Sequence, residues 1–246
     1  MGAHPPFLNA GNAGSFTLDG TRTYRVGRGE AVLLDPGPDV ERHVRALVTW
    51  VADADTVTVL VTHGHVDHAA SARHLAEALR CEVLGPPDVP GVDRVLGDGD
   101  TVETDAGALV AVRTPGHSAE HLCFLWPARG ALFAGDLLLG RGDTTWVGEY
   151  PGCVADYLAS LDRVRALGPS VIYPAHGPPL DDVPGTLARY EAHRRARIRQ
   201  VEEALADRPR AAVEELLPVV YGGTLPPGTR EAARLSLQAL MDHVRG

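Results

Sequence analysis

The apolar residues of the first 180 positions fall into short runs with strand or helix periodicity. The segment 57–62 is β-branched and apolar, which is typical of a strand buried on both faces. Apolar residues at helical spacing predict a helix over 40–52, and an Ala- and Leu-rich stretch predicts another over 69–79. Similar patterns predict strands at 23–26, 31–35, 82–84, 101–102, 109–113, 121–125, 131–134 and 171–173, and a helix at 154–167. Two clusters of strands, each accompanied by helices, favour an α/β fold of the four-layer αββα sandwich type.

The pattern changes after residue 182. A long Arg-rich helix is predicted over 187–205, and two more are predicted over 211–220 and 230–244. The turn-rich stretch GGTLPPG at 222–228 separates the last two. We therefore expect a catalytic domain over residues 1–182 and a C-terminal helical extension over residues 183–246.

Composition narrows the classes of function. The 246 residues carry 32 acidic and 23 basic side chains, a net charge of −9, which disfavours nucleic-acid binding through overall charge. The three cysteines are far apart in the sequence, which favours a reducing compartment over a disulfide framework. The chain has neither a signal-peptide pattern nor an apolar stretch of the roughly 18 residues that a membrane span needs. We expect a soluble, cytoplasmic protein that is not bound to a membrane.

The segment THGHVDH at 62–68 contains four potential metal ligands within six positions, namely His63, His65, Asp67 and His68. It follows the strand 57–62 and precedes the predicted helix at 69–79, so the turn between them directs several side chains towards one small volume. Imidazole nitrogens and carboxylate oxygens are ligands of zinc, and four of them exceed what a single open zinc site needs locally. The segment therefore predicts two metal ions.

Three further ligands occur in matching contexts. His117 in TPGH, Asp136 in AGD and His176 in PAHG each come just after a predicted strand and beside a glycine. Each of them alone would be a capping or surface residue, but together with the first segment they complete two metal sites. Zinc is the expected metal for a His-rich site, with manganese or iron as alternatives.

HxHxDH followed in order by TPGH, GD and PAHG resembles the metallo-β-lactamase superfamily, whose αββα sandwich agrees with the predicted elements. The segments TPGHSAEH at 114–121, LGRGDTT at 139–145 and DYLASL at 156–161 resemble the β-lactamase-like protein 2 subgroup. The resemblance implies that one metal is held by His63, His65 and His117, and the other by Asp67, His68 and His176. It also implies that Asp136 bridges the metals and that Asp35, in LDPG, accepts a hydrogen bond from a ligand imidazole.

The sequence departs from its relatives at several positions. True β-lactamases carry Cys at the position of Asp136, so we do not expect antibiotic hydrolysis. Arg22 replaces a common Asn, and Ala69-Ala70 replaces a frequent Gly. Relatives continue past the position of Gly246 into the wing of a winged helix, so we expect a truncated, winged-helix-like extension.

The expected chemistry is hydrolysis by a hydroxide that bridges two metal ions and attacks the carbonyl of an ester or thioester. The substrate would be small or carrier-linked. Asp67 would orient the hydroxide or accept its proton, with Asp136 as the other catalytic carboxylate. His121, four residues after His117, would either assist the substrate or support the end of a strand.

Two other functions compete with this one. The subgroup resemblance implies an endoribonuclease acting on single-stranded RNA, and the Arg-rich segment 189–199 would then contact phosphates unless it is a solvated helix face. A metal-binding module without turnover is less favoured, because all seven ligand positions are filled. The long C-terminal helix is compatible with a homodimer.

Overall fold

The computed structural model describes residues 4–222, 225 and 228–246. Its first sheet is built from residues 7–95. In spatial order its strands are β1 (Phe7–Asn9), β2 (Arg22–Val26), β3 (Glu30–Leu34), β4 (Thr56–Leu60), β5 (Val83–Gly85) and β6 (Arg94–Val95). Strands β1 to β3 pair antiparallel, whereas β3 to β6 pair parallel. Residues 86–93 connect β5 to β6 without a helix, whereas helices connect β3 to β4 and β4 to β5, as parallel connections usually require. These helices are α1 (Glu41–Trp50), α2 (Val66–Ala69) and α3 (Ala72–Leu79).

The second sheet has five strands, in the spatial order β11-β10-β9-β8-β7. Their bounds are β7 (Thr101–Val102), β8 (Leu109–Arg113), β9 (Leu122–Trp126), β10 (Ala131–Gly135) and β11 (Val171–Pro174). Strands β10 and β11 are parallel and are joined through helix α4 (Cys153–Leu167), while the other neighbours are antiparallel.

Alternation along the strands produces three apolar layers. In β9, Leu122 and Phe124 point between the two sheets, whereas Cys123 between them packs towards the outer helices. In the first sheet, Leu60 points into the same inter-sheet layer while Val59 packs against α1 and α3. The arrangement confirms the predicted αββα sandwich.

The C-terminal segment forms the helices α5 (Val183–Asp207), α6 (Val213–Tyr221) and α7 (Arg230–Arg245). Their apolar residues join the same core cluster as α4 and the outer face of the second sheet. Helix α5 begins directly after Asp182, whose side chain accepts a hydrogen bond from the Gly185 amide. The division into segments 1–182 and 183–246 stays a prediction. Positions 223–224 and 226–227 of the predicted turn lie outside the described residues.

The helix predicted over 69–79 is the clearest difference in the element pattern. It is two helices, because Ala70 and Ser71 separate α2 from α3, and Ser71 Oγ donates to the Pro36 and Gly37 carbonyls. Asp67 and His68 therefore lie within α2 and not just before a helix. The short edge strands β1 and β6 carry no periodic pattern long enough to be predicted.

Four strand ends meet at one edge of the sandwich. Strand β4 leads into the segment that carries His63, and β8, β10 and β11 lead into His117, Asp136 and His176, respectively. Within the described part of the chain, no helix is long and apolar enough to cross a membrane.

Candidate metal centre

Three histidine nitrogens form the first ligand group. One ligand atom each from His63, His65 and His117 lies within 4.8 Å of the others. The Nδ1 atom of His63 is 3.0 Å from Thr62 Oγ1, which leaves its buried Nε2 facing the cluster. His117 donates from Nδ1 to the Trp146 carbonyl at 2.9 Å, and its Nε2 lies 3.0 Å from Nδ1 of His65. The nitrogens that face a common point are therefore Nε2 of His63, Nδ1 of His65 and Nε2 of His117.

A second group combines one carboxylate with two imidazoles. Ligand atoms of Asp67, His68 and His176 also lie within 4.8 Å of one another. The Nε2 atoms of His68 and His176 are 3.2 Å apart, and Asp67 Oδ2 is 3.5 Å and 3.2 Å from them, respectively. His68 and His176 are fully buried, whereas the Asp67 side chain is 24% exposed. Asp67 is thus the potential ligand of this group that is open to solvent.

Asp136 lies between the two groups. Its Oδ1 is 3.3 Å from Nε2 of His176 and 3.5 Å from Nε2 of His68, and its Oδ2 is 3.7 Å from Nε2 of His117. One carboxylate thus faces imidazoles of both groups, which is the placement of a bridging ligand.

The carboxylates and imidazoles polarise each other strongly. Burial opposes ionisation of Asp136, but the His176 and His68 rings outweigh it and hold its pKa well below the usual range. Burial likewise opposes ionisation of Asp67, yet hydrogen bonding to His176 and the charge of His68 lower its pKa. Burial disfavours protonation of His176, but Asp136 and Asp67 overcome it and raise the pKa of His176 to about 9. The cluster therefore attracts positive charge.

The first group has the opposite character. Burial is the main cause that lowers the pKa of His117 to about 4, and together with the neighbouring His68 it takes the pKa of His63 well below 6.5. Both rings are therefore neutral at physiological pH and keep a lone pair on the nitrogen that faces the cluster. Neutral imidazole is the form that binds a metal ion.

Two buried polar atoms test whether the residues suit metal ions. Buried polar atoms are normally satisfied. Nε2 of His63 has no hydrogen-bond partner, and Oδ1 of Asp136 has no well-aligned hydrogen bond although His176 and His68 face it at 3.3 Å and 3.5 Å. The two atoms belong to one further group of potential ligands, completed by His68. Cations bound between these acceptors would satisfy them, so the donor set fits divalent metal ions.

Asp35 contacts the second group through the His68 ring, on the side away from the cluster. It is fully buried, and its Oδ2 lies 3.0 Å from Nδ1 of His68, the contact expected for an acid that orients a ligand imidazole. The Thr62 amide and hydroxyl donate to the two carboxylate oxygens at 2.8 Å and 2.9 Å. These bonds join the end of β3 to the start of the ligand segment.

His121 has no atom left for a substrate. Its ring is fully buried, with Nε2 accepting from the Asp136 amide at 3.3 Å and Nδ1 lying 3.0 Å from Thr114 Oγ1. Burial takes its pKa well below 6.5, so the ring is neutral and carries one proton. These contacts favour the structural role over direct help to the substrate, because the ring fixes the backbone of Asp136.

Three further residues lie close to the candidate ligands: Glu149 belongs to none of the motifs, Glu120 belongs to TPGHSAEH, and Trp146 directly follows LGRGDTT. Glu149 places Oε1 3.2 Å from Nε2 of His65, and Glu120 accepts from the Gly64 amide at 3.0 Å. The indole ring of Trp146 lies 6.0 Å from the rings of both His65 and His117. Their contribution arises from loop paths that periodicity does not encode.

The Arg-rich segment 189–199 is engaged mainly with the chain itself. Arg194 is buried and donates to the Thr145 carbonyl, while Arg197 donates to the Val220 carbonyl. Arg195 pairs with Glu191 at 2.8 Å. These contacts favour a structural helix face over a phosphate-binding surface.

Comparisons with known proteins agree with this geometry. A family model described as the metallo-beta-lactamase superfamily matches residues 17–88 and 79–176. The chain is 34% identical over 252 residues to an atrochrysone carboxyl ACP thioesterase from Aspergillus chevalieri, covering 96% of this chain and 77% of that protein. It is 32% identical over 238 residues to a beta-lactamase-like protein 2 homolog from Caenorhabditis elegans, covering 90% and 77%.

The chain is also similar to a further curated relative and to a solved structure. The chain is 38% identical over 208 residues to lactamase-like protein aptB from Emericella nidulans, covering 82% of this chain but only 65% of that protein's length. A crystal structure of a metallo-beta-lactamase family protein from Thermus thermophilus superposes with a TM-score of 0.81 at 22% identity, covering 98% of this chain and 92% of that one. The second similarity concerns the fold alone.

Proposed function

Because this chain belongs to the metallo-β-lactamase superfamily, we propose that its seven convergent ligands hold two divalent metal ions that serve the hydrolysis of an ester or thioester. Membership confirms the family predicted from the motifs. The thioesterases among its relatives confirm the prediction of a hydrolase. The fold implies divalent metal ions, and the substrate and the identity of the metals are proposals.

The observation that carries the proposal is the pair of buried acceptors without a well-aligned hydrogen bond, His63 Nε2 and Asp136 Oδ1, inside a cluster of potential ligands. We assign His63, His65 and His117 to one ion, and Asp67, His68 and His176 to the other, with Asp136 shared. Zinc is the proposed metal because five of the seven ligands are imidazoles. When bound, the ions would supply an activated water and an electrophile for the carbonyl oxygen of the substrate.

The chain's own residues contribute orientation and proton transfer. Asp67 is the most accessible carboxylate of the cluster, with 24% of its side chain exposed against 10% for Asp136. Its lowered pKa keeps it ionised at neutral pH, so it accepts a hydrogen bond or a proton from the attacking water. Asp35 and His121 hold His68 and the Asp136 backbone in place and need no contact with the substrate.

We propose an acyl group linked to a carrier as the substrate. The name of one relative specifies an acyl-carrier-protein thioesterase, and that substrate class suits the surface beside the ligands. Val66, between His65 and Asp67, is 75% exposed and offers an apolar contact at the edge of the site. An apolar acyl chain is favoured by such a contact, whereas a phosphodiester gains nothing from it.

The groove next to the centre has the wrong charge for RNA. Its cavity of about 610 Å³ is lined by four carboxylates, Asp88, Asp98, Glu120 and Glu149, and by a single cation, Arg113. A polyanion that approached through it would be repelled, because RNA binding depends on neutralising phosphates with basic side chains. The groove therefore supports the thioester over single-stranded RNA.

The test compares two substrates and two variants. Purified, zinc-loaded protein is assayed with a medium-chain acyl thioester of N-acetylcysteamine and with labelled single-stranded RNA. We expect thioester hydrolysis that Asp67→Ala lowers by roughly a hundredfold or more, the range for loss of an acid–base group. The matched control is Asp55→Ala, because Asp55 is exposed and precedes β4 at the end opposite the ligands.

The outcomes separate the candidate functions. Thioester turnover that survives in Asp55→Ala and is lost in Asp67→Ala supports the proposal. Cleavage of RNA but not of thioester, again lost in Asp67→Ala, would replace it with the endoribonuclease. Metal binding without turnover of either substrate would favour a non-catalytic module. Cytoplasmic location and a homodimer stay predictions.

A further inference from the structure

We propose that Glu149 is a positioning residue that fixes the tautomer and orientation of His65, so that Nδ1 of this ring is the atom offered to a metal ion. The inference rests on the proposed metal centre but not on its substrate. Neither the motifs nor the resemblance assigns a role to Glu149.

His65 needs such a partner more than the other ligand imidazoles do. Its side chain is 29% exposed, whereas those of His63, His68, His117 and His176 are at most 4% exposed. A neutral imidazole carries one proton that exchanges between two nitrogens, and water offers no preference between them. Without a fixed acceptor, the His65 ring is free to rotate, and the tautomer with its proton on the nitrogen that faces the cluster is also populated.

Glu149 supplies that acceptor. Its Oε1 lies 3.2 Å from Nε2 of His65, while Nδ1 of the same ring is 3.0 Å from Nε2 of His117. A carboxylate only accepts hydrogen bonds when ionised, so the proton is held on Nε2 and the lone pair on Nδ1. The Nδ1 atom is therefore available in the group formed with His63 and His117.

The other rings show the same division of their two nitrogens. Nδ1 of His68 faces the Asp35 carboxylate, and Nδ1 of His117 donates to the Trp146 carbonyl. His65 presents the opposite nitrogen to the cluster, so its supporting acceptor must stand on the Nε2 side. Glu149 is that acceptor in the described part of the chain.

The backbone around Glu149 is held by two helices. Gly148 packs so closely on α7 that a Cβ added to it would lie 2.7 Å from the Ser236 amide nitrogen. On the other side, the Tyr150 hydroxyl donates to Asp156 of α4 at 2.9 Å. The carboxylate therefore starts from a fixed backbone, as an orienting group requires.

The experiment measures the tautomer of His65 and the affinity for zinc separately. In metal-free protein, long-range 1H–15N spectra of the imidazoles report which nitrogen of His65 carries the proton. In a chelator competition, zinc is titrated into the wild type, Glu149→Ala, Glu149→Gln and the control Asp88→Ala. Asp88 lines the same groove without contacting a proposed ligand, so its variant measures the loss of local charge. Because Asp88 has φ +63°, thermal unfolding must also show that the alanine does not strain the backbone.

We expect Glu149→Ala to lose the single tautomer and to bind one of the two ions ten- to hundredfold more weakly, the usual effect of losing an orienting partner. Glu149→Gln keeps an oxygen acceptor and should restore most of that affinity. Asp88→Ala should bind both ions as the wild type does. Thermal unfolding of the metal-free variants shows whether each is folded.

Three results would overturn the inference. They are wild-type affinity in Glu149→Ala, an unchanged tautomer in that variant, and equal weakening in Glu149→Ala and Glu149→Gln. Failure of the proposed function looks different, because a chain that binds two ions with wild-type tautomers but hydrolyses no thioester leaves the role of Glu149 intact.

Discussion

Single glycines let the backbone approach closely beside the ligands, and Gly116 is the clearest case. It precedes His117, has φ +132°, and a Cβ added to it would lie 2.5 Å from Cα of Tyr157 in α4. The obstacle is backbone and not a flexible side chain, so it cannot move aside. The adjacent Pro115 carbonyl accepts from Ser160 Oγ of α4 at 2.7 Å, which fixes the turn on the helix.

We therefore expect Gly116→Ala to lower the free energy of unfolding by about 2–4 kcal/mol, the sum of overpacking and a strained φ. Urea unfolding of metal-free protein measures it. Gly99→Ala is the matched control, because Gly99 also has positive φ (+87°) but no atom within 4 Å of its Cβ position. Equal losses in the two variants would show that the contact with α4 does not matter.

At the same scale, the proposed ligands were identified from the sequence, as were Asp35 and His121 beside them, whereas Glu149 was not. His63, His65, Asp67 and His68 share one short motif, and His117, Asp136 and His176 follow predicted strands, so spacing and context identify them. His121 was found through its spacing from His117, although its contact with the Asp136 amide was not predicted. Glu149 contacts the His65 ring, and that contact depends on the path of the folded loop, which an isolated Glu does not reveal in the sequence.

Among the elements, strands and helices with long periodic runs were predicted within a few residues of their observed bounds. Helix α5 begins at Val183, four residues before the predicted start. The prediction started late because Pro184 and Gly185 resemble a turn. In the structure they form the first turn of the helix, which Asp182 caps. The separation of α2 from α3 was missed for the opposite reason. Its residues Ala70 and Ser71 are compatible with a helix, and tertiary hydrogen bonds of Ser71 decide the matter.

The loop 139–149 connects the C-terminal helices to the metal centre. Tyr190 of α5 bonds to both backbone groups of Leu139, and Arg194 donates to the Thr145 carbonyl at 3.1 Å. Trp146 Nε1 donates to the Ala232 carbonyl of α7 at 3.1 Å. The Trp146 carbonyl in turn accepts from His117, so this loop links α5 and α7 to a proposed ligand.

Arg194→Met tests that connection. The guanidinium is buried, its Nε has no partner, and burial lowers the pKa of Arg194, so its removal recovers a desolvation cost. We expect the free energy of unfolding of metal-free protein to change by less than about 1 kcal/mol. Zinc affinity should nevertheless fall, by less than for Glu149→Ala, because the loop next to Trp146 loses a contact.

The changes in unfolding free energy and in zinc affinity need a control variant on the same helix. Arg199→Met serves, since Arg199 is exposed and lies five residues further along α5. A loss of several kcal/mol in Arg194→Met with unchanged zinc affinity would assign Arg194 to stability alone.

In the whole molecule, the candidate metal centre lies where the two sheets meet. The ligands of the segment 63–68 follow β4 of the first sheet, whereas His117, Asp136 and His176 follow strands of the second. Each proposed ion has ligands from both sheets, so its binding depends on the sandwich being assembled. Neither sheet alone carries a complete group of potential ligands, so the motifs indicate the fold and the candidate site together.

Metal removal should therefore lower the thermal stability of the entire sandwich. A ligand that binds only the folded state at a hundred times its Kd stabilises it by about 2.7 kcal/mol. For a chain of this size, that corresponds to a Tm roughly 5–10 °C higher with zinc than after chelation. Calorimetry of Asp136→Asn should give a smaller increase, because the shared carboxylate no longer carries its charge. A Tm that is the same with and without zinc would mean that the seven side chains do not hold ions between the sheets.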